Sequence, residues 1–222
     1  MDKEIVKTDD GSNTIFLPEL NEHYHSTFGA INESQHVFVN SGFKALNAKD
    51  VIYILEVGFG TGLNALLTLI EAQNKKIEVH YIGIESNPVG KVILEKLNYP
   101  VQIDDENAEN CFRKIHKAEW GTEVEIYPEF FLTKVNFELQ EVEFEDTEFD
   151  LIYFDAFAPD IQPELWTSEI FNKLYLQMAK GGCLVTYSAK GAVKRALKEV
   201  GFEIEGLPGP KGKREITRAW KR

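Results

Sequence analysis

The chain has 222 residues, 43% of them hydrophobic, and a formal net charge of −12 at pH 7, a composition that suits one soluble α/β domain with short additions. No apolar run approaches the roughly 18 residues of a membrane span, and the opening MDKEIVKTDD has neither the basic region nor the apolar core of a secretory signal. We therefore expect a cytoplasmic protein that does not enter a membrane, and the acidic balance argues at first against a nucleic-acid partner.

The first 48 residues are predicted to form an extension that packs on the core. Residues 4–17 indicate a hairpin, because two short strand-like runs flank an Asp-Gly dipeptide that suits a turn with positive φ. Residues 31–46 indicate a helix that breaks near Gly42 and has Asn32 as its N-cap.

Residues 49–222 are predicted to be one structural unit in which strands alternate with helices. Continuous β-branched runs indicate buried strands, and the amphipathic segments between them indicate covering helices. The strands are expected at 51–58, 77–85, 149–156 and 183–188, with one or two more in 123–144, and the helices at 63–73, 88–97, 105–118, 163–179 and 189–200.

Two closing strands, 201–207 and 213–220, are joined by a Pro-Gly-Pro turn, so the last strand should be antiparallel. The sequence therefore predicts a Rossmann-like, mainly parallel sheet of seven strands. Pro88 and Pro163 are expected in the first turns of their helices, and Gly181-Gly182 is expected to end the second of these.

A glycine-rich loop, LEVGFGTGLN, follows the first core strand, where doubly wound sheets bind ligands. Its glycines would let the backbone turn sharply and approach a ligand closely. The third glycine of a dinucleotide fingerprint would fall at Leu63, and the loop lacks the Lys-Ser/Thr pair of a P-loop. Glu85 ends the next strand 23 residues after Gly62, the spacing at which an acid binds ribose hydroxyls. Together these features favour nucleoside binding over a simple tight turn.

Glu56 precedes this loop, where many nucleoside-sulfonium sites place a carboxylate facing the cationic amino-acid part of S-adenosylmethionine. An acid before the loop and an acid after the next strand suit a cationic methyl donor better than a polyanionic dinucleotide. The electrostatics therefore predict S-adenosylmethionine as the cofactor.

Asp155 ends a predicted apolar strand in LIYFDAFAPDIQPELW, at the same sheet edge as the glycine loop. Methyl transfer needs an acceptor lone pair held in line with the donor, and a carboxylate can orient an amine for that purpose. Phe157 offers an aromatic wall, and Pro159 stiffens the loop that follows. The alternative is that Asp155 only closes a turn and that Phe157 belongs to the core.

Five segments in this order, FGTGLN, GIESNP, FDAFAPDIQPELWT, SAKGAVKRALKEVGF and GPKGKRE, carry a family resemblance. The chain resembles the methyltransferase component of the tRNA 5-methylaminomethyl-2-thiouridine enzymes, the MnmC/MnmD family, over nearly its whole length. The resemblance implies a class I S-adenosylmethionine-dependent methyltransferase. Its reaction would be N-methylation of the 5-aminomethyl group of the wobble uridine in tRNA, converting 5-aminomethyl-2-thiouridine to 5-methylaminomethyl-2-thiouridine.

The resemblance also implies roles for individual residues. The S-adenosyl-L-methionine site would consist of the glycine loop, its polar neighbours and the acids at the strand ends, namely Glu56, Gly58, Gly60, Thr61, Gly62, Asn64, Glu85 and Asp155. Asp155 would be the catalytic residue that anchors the amine, with Phe157 and Pro159 shaping the pocket. Basic residues near the C-terminus would bind tRNA phosphates, namely Lys190, Lys194, Lys211, Lys213 and Arg214. The adenine contacts stay open, with Asn136 as one option.

The charge distribution is compatible with tRNA as the partner. Residues 190–222 contain ten Lys and Arg against four Glu, beside the presumed active face. The acidic run 138–150 contains seven acids and no base, and we interpret it as a solvated face without a function. Bifunctional members of the family continue into a flavin-dependent oxidoreductase domain. This sequence stops at Arg222, so we expect it to act alone, as a monomer, on an aminomethyl group that is already exposed.

Two alternatives stay open. An aminopropyltransferase shares the sheet, the glycine loop and an aspartate that handles an amine, but it predicts an acidic substrate pocket without a basic C-terminal face. A non-catalytic tRNA- or nucleoside-binding module would not need the intact glycines, Glu85 and Asp155.

No metal site is predicted. His23 and His25 lack a third ligand nearby, and the two cysteines lack a CxxC spacing. Glu33 and His36 lie three residues apart in a segment that the family places by the cofactor, and we expect them to help close the site.

Overall fold

The computed structural model describes residues 2–144 and 147–222, which contain eleven strands and seven α-helices. The strands are β1 Glu4–Lys7, β2 Asn13–Leu17, β3 Glu22–His23, β4 Val51–Val57, β5 Glu78–Ile84, β6 Glu123–Tyr127, β7 Phe130–Val135, β8 Phe149–Phe154, β9 Met178–Thr186, β10 Glu203–Pro208 and β11 Glu215–Trp220. The α-helices are α1 Ala30–Ser34, α2 Leu63–Lys75, α3 Lys91–Leu94, α4 Tyr99–Gln102, α5 Ala108–Lys117, α6 Ser168–Leu176 and α7 Gly191–Val200.

Within the described residues, eight strands form one mixed sheet in the order β10-β11-β9-β8-β4-β5-β7-β6. The five strands from β9 to β7 are parallel, whereas β11 and β6 run antiparallel to their inner neighbours. The doubly wound fold class and the antiparallel last strand are therefore confirmed. The sheet has eight strands instead of seven because residues 123–144 supply both β6 and β7, which fold back on each other through a turn where Glu129 has a φ of 65°.

Burial explains why β8 and β4 lie at the centre of the sheet. All six residues of β8 are buried, and β4 is buried from Ile54 to Val57. Side chains on one face pack with α2 and α5, and those on the other face pack with α6 and α7, in two apolar clusters. Because both faces are covered, the strand ends are the places where a ligand can reach the central strands.

The N-terminal extension begins with the predicted hairpin, β1 and β2, to which the structure adds the short strand β3. Residues 30–45 are helical as predicted, but they form α1, a π-helical segment and a 3₁₀ turn. The prediction of Asn32 as N-cap is wrong, because α1 begins after Gly29, whose φ is 142°. Asp10 Oδ2 instead accepts a hydrogen bond from the Asn32 backbone N–H at 3.0 Å. The boundary at residue 48 stays a proposal, since extension residues share the apolar cluster around α2.

Two predicted helices are shorter than their sequence patterns suggest. The segment 88–97 contains only the single turn α3, which begins after Gly90, so Pro88 lies before it. The segment 163–179 divides into a 3₁₀ turn that starts at Pro163 and the helix α6, because Thr167 Oγ1 accepts from Ile170 N and starts a new helix. Gly181-Gly182 lies inside β9 at a register shift and does not end a helix. The turn α4 was not predicted.

The acidic run 138–150 is not a uniformly solvated face. Residues 145 and 146 lie outside the described part of the chain, but Asp150 is only 5% exposed. Its carboxylate pairs with Lys49 and accepts from the Tyr53 backbone N–H at 3.0 Å. Asp150 therefore anchors the start of β4, a role that composition alone does not reveal.

Within residues 2–144 and 147–222, no helix is both long enough and apolar enough to cross a membrane. Among the same residues, no group of three or more His, Cys, Asp or Glu side chains could hold a metal ion. Cys111 and Cys183 are both buried as free thiols.

Gly83 on β5 gives a direct test of how the sheet supports the glycine loop. A Cβ at this position would lie 2.3 Å from Cδ2 of Phe59, a loop residue that is only 4% exposed. We expect Gly83→Ala to lower the free energy of unfolding by about 3 kcal/mol through overpacking. The control is Gly90→Ala, where a Cβ meets no atom within 4 Å, and it should change stability by less than about 1 kcal/mol. Equal midpoints of both variants in urea would contradict this account.

Candidate active site

Four neighbouring strand ends surround a cavity of about 720 Å³ at the carboxyl edge of the sheet. Glu85 follows β5, Gly58 follows β4, Asp155 follows β8 and Tyr187 follows β9, and all four residues line the cavity. Adjacent strands lie roughly 4.8 Å apart. Asp155 therefore stands inside this row, with the glycine loop on one side and Tyr187 on the other.

The glycine loop is held against β8 by close backbone approach. Gly58 has a φ of 87°, and a Cβ there would lie 2.5 Å from the Asp155 carbonyl oxygen. Its N–H donates to Ile84 O at 3.0 Å, so the loop is also tied to β5. Gly62 has a φ of 70° and is the residue immediately before α2. The glycines therefore let the loop backbone lie beside Asp155, at the sheet edge where the sequence predicts both, and their approach to a ligand stays a prediction.

Glu85 connects the loop with the end of β5. One carboxylate oxygen accepts from the Gly60 N–H at 2.9 Å, and the other accepts from the Asn87 N–H at 2.9 Å. A carboxylate oxygen can accept more than one hydrogen bond. Glu85 is thus fixed in place and can still accept from a pair of ligand hydroxyls.

Asn64 on α2 links two acids beneath the loop. Its Nδ2 donates to Glu56 Oε1 at 2.7 Å and to Asp155 Oδ2 at 2.9 Å. Glu56 is 0% exposed, and its other oxygen accepts from Tyr81 Oη at 2.8 Å. The Glu56 carboxyl therefore lies behind the cavity wall and acts on the site through Asn64. The sequence suggests that Glu56 contacts the cofactor directly, and this geometry does not fit such a contact.

Burial changes the proton affinity of both acids. Removal from water raises the pKa of Glu56 to about 8, an effect only partly offset by the hydrogen bonds from Asn64 and Tyr81. The pKa of Asp155 is raised well above its ordinary value, first by burial and then by the negative charges of Glu56 and Glu33. Asp155 is therefore a carboxyl group that accepts a proton more readily than a surface aspartate does.

Phe157, beyond Asp155, is fixed from two sides. Gln162 Oε1 accepts from its N–H at 2.9 Å, and Trp166 Nε1 donates to its carbonyl oxygen at 2.8 Å. Its ring meets Tyr24 from the extension edge to face at 5.3 Å. Pro159 does not line the cavity, although it belongs to the same loop. The aromatic wall is thus Phe157 with Tyr24.

The turn between β10 and β11 closes the far side of the cavity against the extension. Lys213 Nζ lies 2.7 Å from Glu33 Oε1 and 4.0 Å from the centre of the Tyr187 ring. His36 Nε2 donates to Pro208 O at 2.7 Å, so His36 holds this turn and does not line the cavity. A Cβ on Gly212 would overlap the Phe28 ring at 2.2 Å.

The predicted cofactor residues divide by position. Those that line the cavity are Gly58, Gly60, Thr61, Asn64, Glu85 and Asp155. Gly62 and Glu56 lie beneath them. Asn136, the option for an adenine contact, is exposed outside the cavity, whereas the next three residues, Phe137, Glu138 and Leu139, line it.

The predicted phosphate-binding residues are mostly neutralised. Lys190 pairs with Asp160, Lys194 with Glu215 at 2.9 Å and Lys211 with Asp9 at 2.8 Å. Lys213 pairs with Glu33 and faces the cavity, so a role on a phosphate-binding surface does not fit its position. In the described part of the C-terminal segment, the exposed bases without an ion pair are Arg195, Lys198 and Arg214.

Sequence reasoning missed Tyr24, Tyr187 and Tyr81. Tyr187 follows β9 at the same edge as Asp155, so its place at a strand end was a usable signal. Tyr81 lies inside β5 and looks like an ordinary core residue in the sequence. Tyr24 reaches the cavity from the extension, a contact between distant parts of the chain that no local sequence pattern indicates.

Comparison with known proteins agrees with this architecture. A family model described as S-adenosyl-L-methionine-dependent methyltransferase matches residues 107–222. The tRNA 5-methylaminomethyl-2-thiouridine biosynthesis bifunctional protein MnmC of Paraburkholderia xenovorans is 32% identical over 88% of this chain and 32% of its own length. The protein of the same name from Marinomonas sp. is 29% identical over 90% of this chain and 31% of its own length. The chain thus spans about a third of the curated relatives it matches.

A solved structure is similar to this chain over its whole length. The crystal structure of MNMC2 from Aquifex aeolicus superimposes with a TM-score of 0.83 at 28% identity, covering 100% of this chain and 71% of that one. The similarity therefore includes the extension as well as the sheet.

Glu56 makes the stability of the fold depend on pH. The unfolded chain ionises Glu56 near pH 4.5, whereas the folded chain holds its proton to about pH 8, so wild-type stability should fall as pH rises through this window. Glu56→Gln stays neutral, and we expect its stability relative to wild type to rise across the window by up to ~1.4 kcal/mol per pH unit. Urea unfolding at several pH values measures the difference. Glu119→Gln, at an exposed position, is the control, and parallel curves for wild type and Glu56→Gln would contradict the assignment.

Proposed function

The chain belongs to the family of S-adenosyl-L-methionine-dependent methyltransferases, and on that premise we propose that it N-methylates the 5-aminomethyl group of the wobble uridine in tRNA. The product would be 5-methylaminomethyl-2-thiouridine, the nucleoside in the name of the MnmC relatives. The observation that carries the proposal is the position of the Asp155 carboxyl group, which Asn64 holds beside the glycine loop on the cavity wall.

The residues at the β4 and β5 ends fit S-adenosylmethionine. Glycine at position 58 lets the loop lie against the end of β8, since any Cβ there would meet Asp155 O at 2.5 Å. Glu85 is oriented to accept ribose hydroxyls, and Phe137 and Leu139 offer apolar walls beside it for the adenine. When bound, the cofactor supplies an electrophilic methyl group on a cationic sulfur, which the acidic lining of the cavity suits.

Asp155 would bind the amine and take its proton. An aminomethyl group is mostly an ammonium ion at neutral pH and has no free lone pair for attack. The raised pKa of Asp155 narrows the difference in proton affinity between carboxylate and amine, so proton transfer to Asp155 becomes less unfavourable. Asn64 holds Oδ2 at 2.9 Å and so keeps the carboxyl group oriented. Asp155 would thus act both as the anchor and as the base.

One observation favours a second candidate, an aminopropyltransferase. The cavity lining contains five acids, Glu22, Glu33, Glu85, Glu138 and Asp155, as a polyamine site would require. Lys213 lines the same cavity, however, and would repel a polyamine beyond Asp155. Methyl transfer also agrees with the family, so it is the function we propose.

The proposed activity is tested with two tRNA substrates. Purified protein and S-adenosylmethionine labelled in the methyl group are incubated with unmodified tRNA and with tRNA that carries the 5-aminomethyl group. We expect label only in the aminomethylated tRNA, and nucleoside digestion should place it on the wobble uridine. Label in both tRNAs, label in neither, or transfer of an aminopropyl group to an amine would contradict the proposal.

Asp155→Asn tests the role of the carboxyl group. Asn keeps the shape and a hydrogen-bond acceptor but cannot take the proton, so we expect methyl transfer to fall by about 10³-fold or more. Binding of S-adenosylmethionine, measured by calorimetry, should change little, because the glycine loop and Glu85 stay intact. Asp160→Asn is the control, since Asp160 is an exposed acid of the same loop that does not line the cavity. Near-normal transfer by Asp155→Asn would exclude Asp155 as the base.

A further inference from the structure

The side of the cavity beyond Asp155 contains an ion pair that the chemistry described so far does not use. Glu33 is 7% exposed, Lys213 is partly buried, and both residues line the cavity. Resting on the proposed function, we propose that Lys213 and Glu33 recognise the imide edge of the uracil ring, so that they select uridine over cytidine.

The Lys213–Glu33 pair and the residues that would bind the cofactor lie on opposite sides of Asp155. Tyr153 of β8 pairs in register with Val185 of β9, so Asp155 and Tyr187 lie opposite each other two residues further on. Lys213 precedes β11, the next strand outward from β9. Glu85 and the glycine loop lie on the other side of Asp155. A substrate amine at Asp155 therefore places its ring toward Tyr187 and Lys213.

Lys213 has donor capacity that its contacts leave free. An ammonium group has three donors. One side of Nζ faces Glu33 Oε1 at 2.7 Å, and another faces the Tyr187 ring at 4.0 Å. A cation here would hinder entry of a positively charged amine unless it also bound an electronegative group of the substrate. Lys213 can donate to such a group from the wall of the cavity.

Glu33 has the matching acceptor capacity. Its Oε2 accepts from the Ser26 N–H at 2.6 Å, which fixes the carboxylate. Its Oε1 lies 2.7 Å from Lys213 Nζ and has no other partner among the described residues, so this buried oxygen can accept a further hydrogen bond. Buried acceptors tend to fill their hydrogen-bonding capacity, and an N–H group of a bound ligand would do so here.

The donor on Lys213 and the acceptor on Glu33 match the order of the polar groups along the edge of the uracil ring. Next to C5, which carries the aminomethyl group, uracil presents the O4 acceptor and then the N3–H donor. Lys213 would donate to O4 and Glu33 would accept from N3–H, while the C5 substituent points to Asp155. Cytosine reverses both groups, with an amino donor at C4 and a lone pair at N3. With cytosine, Lys213 would face a donor and Glu33 would face a lone pair, so both contacts would be unfavourable.

The test uses two synthetic anticodon stem-loop RNAs that differ only in the wobble base, 5-aminomethyluridine or 5-aminomethylcytidine. Wild type should methylate the uridine RNA with at least a hundredfold higher kcat/KM. Lys213→Met should lower kcat/KM on the uridine RNA by roughly tenfold to a hundredfold and should reduce the preference between the RNAs. Lys213→Arg keeps the donors and should retain most of the preference, which guards against a merely structural loss.

The matched control is Lys44→Met. Lys44 pairs with Glu71 at 2.9 Å with similar side-chain exposure, 38% against 31% for Lys213, but it does not line the cavity. This variant should keep both the rate and the preference of wild type. The salt dependence of KM gives a second control, because loss of a phosphate contact would reduce its slope by about one whereas loss of a base contact would not.

The outcomes separate this inference from the proposed function. No transfer by wild type to either RNA overturns the proposed function and the inference with it. Transfer by wild type with an unchanged rate and preference in Lys213→Met overturns the inference alone. A reduced salt slope in Lys213→Met, with the preference intact, assigns Lys213 to phosphate and likewise overturns it.

Discussion

The hydrogen bonds from Asn64 to Glu56 and Asp155 are the interaction on which the site depends. One amide group bridges the fully buried Glu56 and Asp155 on the cavity wall, and two negative charges so close together would be costly. Burial raises the pKa of Glu56 to about 8, and the pKa of Asp155 is raised well above its ordinary value, so both carboxyl groups bind protons more tightly than surface acids do. Tyr81 fixes the other oxygen of Glu56, so the geometry of Asp155 is set by residues of α2, β4 and β5 together.

The arrangement also divides the cavity into two halves. The ends of β4 and β5 present glycines and Glu85 to a nucleoside, whereas the ends of β9 and β11 present Tyr187 and Lys213. Asp155 lies between these halves because β8 is the strand between β4 and β9. In a transfer from a nucleoside donor to an amine acceptor, the two molecules bind on opposite sides of the reacting group. The order of the strands alone places Asp155 between the two halves of the cavity.

Much of this could be predicted from the sequence. The fold class, the loop at Gly58 and the positions of Glu85 and Asp155 follow from local patterns, namely buried runs, glycine spacing and acids at strand ends. The errors arise where tertiary contacts override those patterns. Thr167 starts a helix inside a segment that looks continuous, and Lys211 and Lys213 pair with acids about two hundred residues away in the chain. A basic segment therefore looked more exposed and more charged in the sequence than it is in the fold.

The contacts between the extension and the turn before β11 also bear on how the protein folds. His36 bonds to Pro208, and Lys211 pairs with Asp9, across 172 and 202 positions of the chain. Contacts of such long range form slowly, because a large loop of chain must be ordered before they can be made. The half of the cavity that would bind the nucleoside donor is made largely by β4, α2 and β5, which follow one another in the chain. Its contacts therefore join residues that are much closer in sequence. During synthesis on the ribosome, the nascent chain would thus form the donor side of the cavity, at β4 and β5, first. Residues 208–213, which close the side of Tyr187 and Lys213, would emerge well after it.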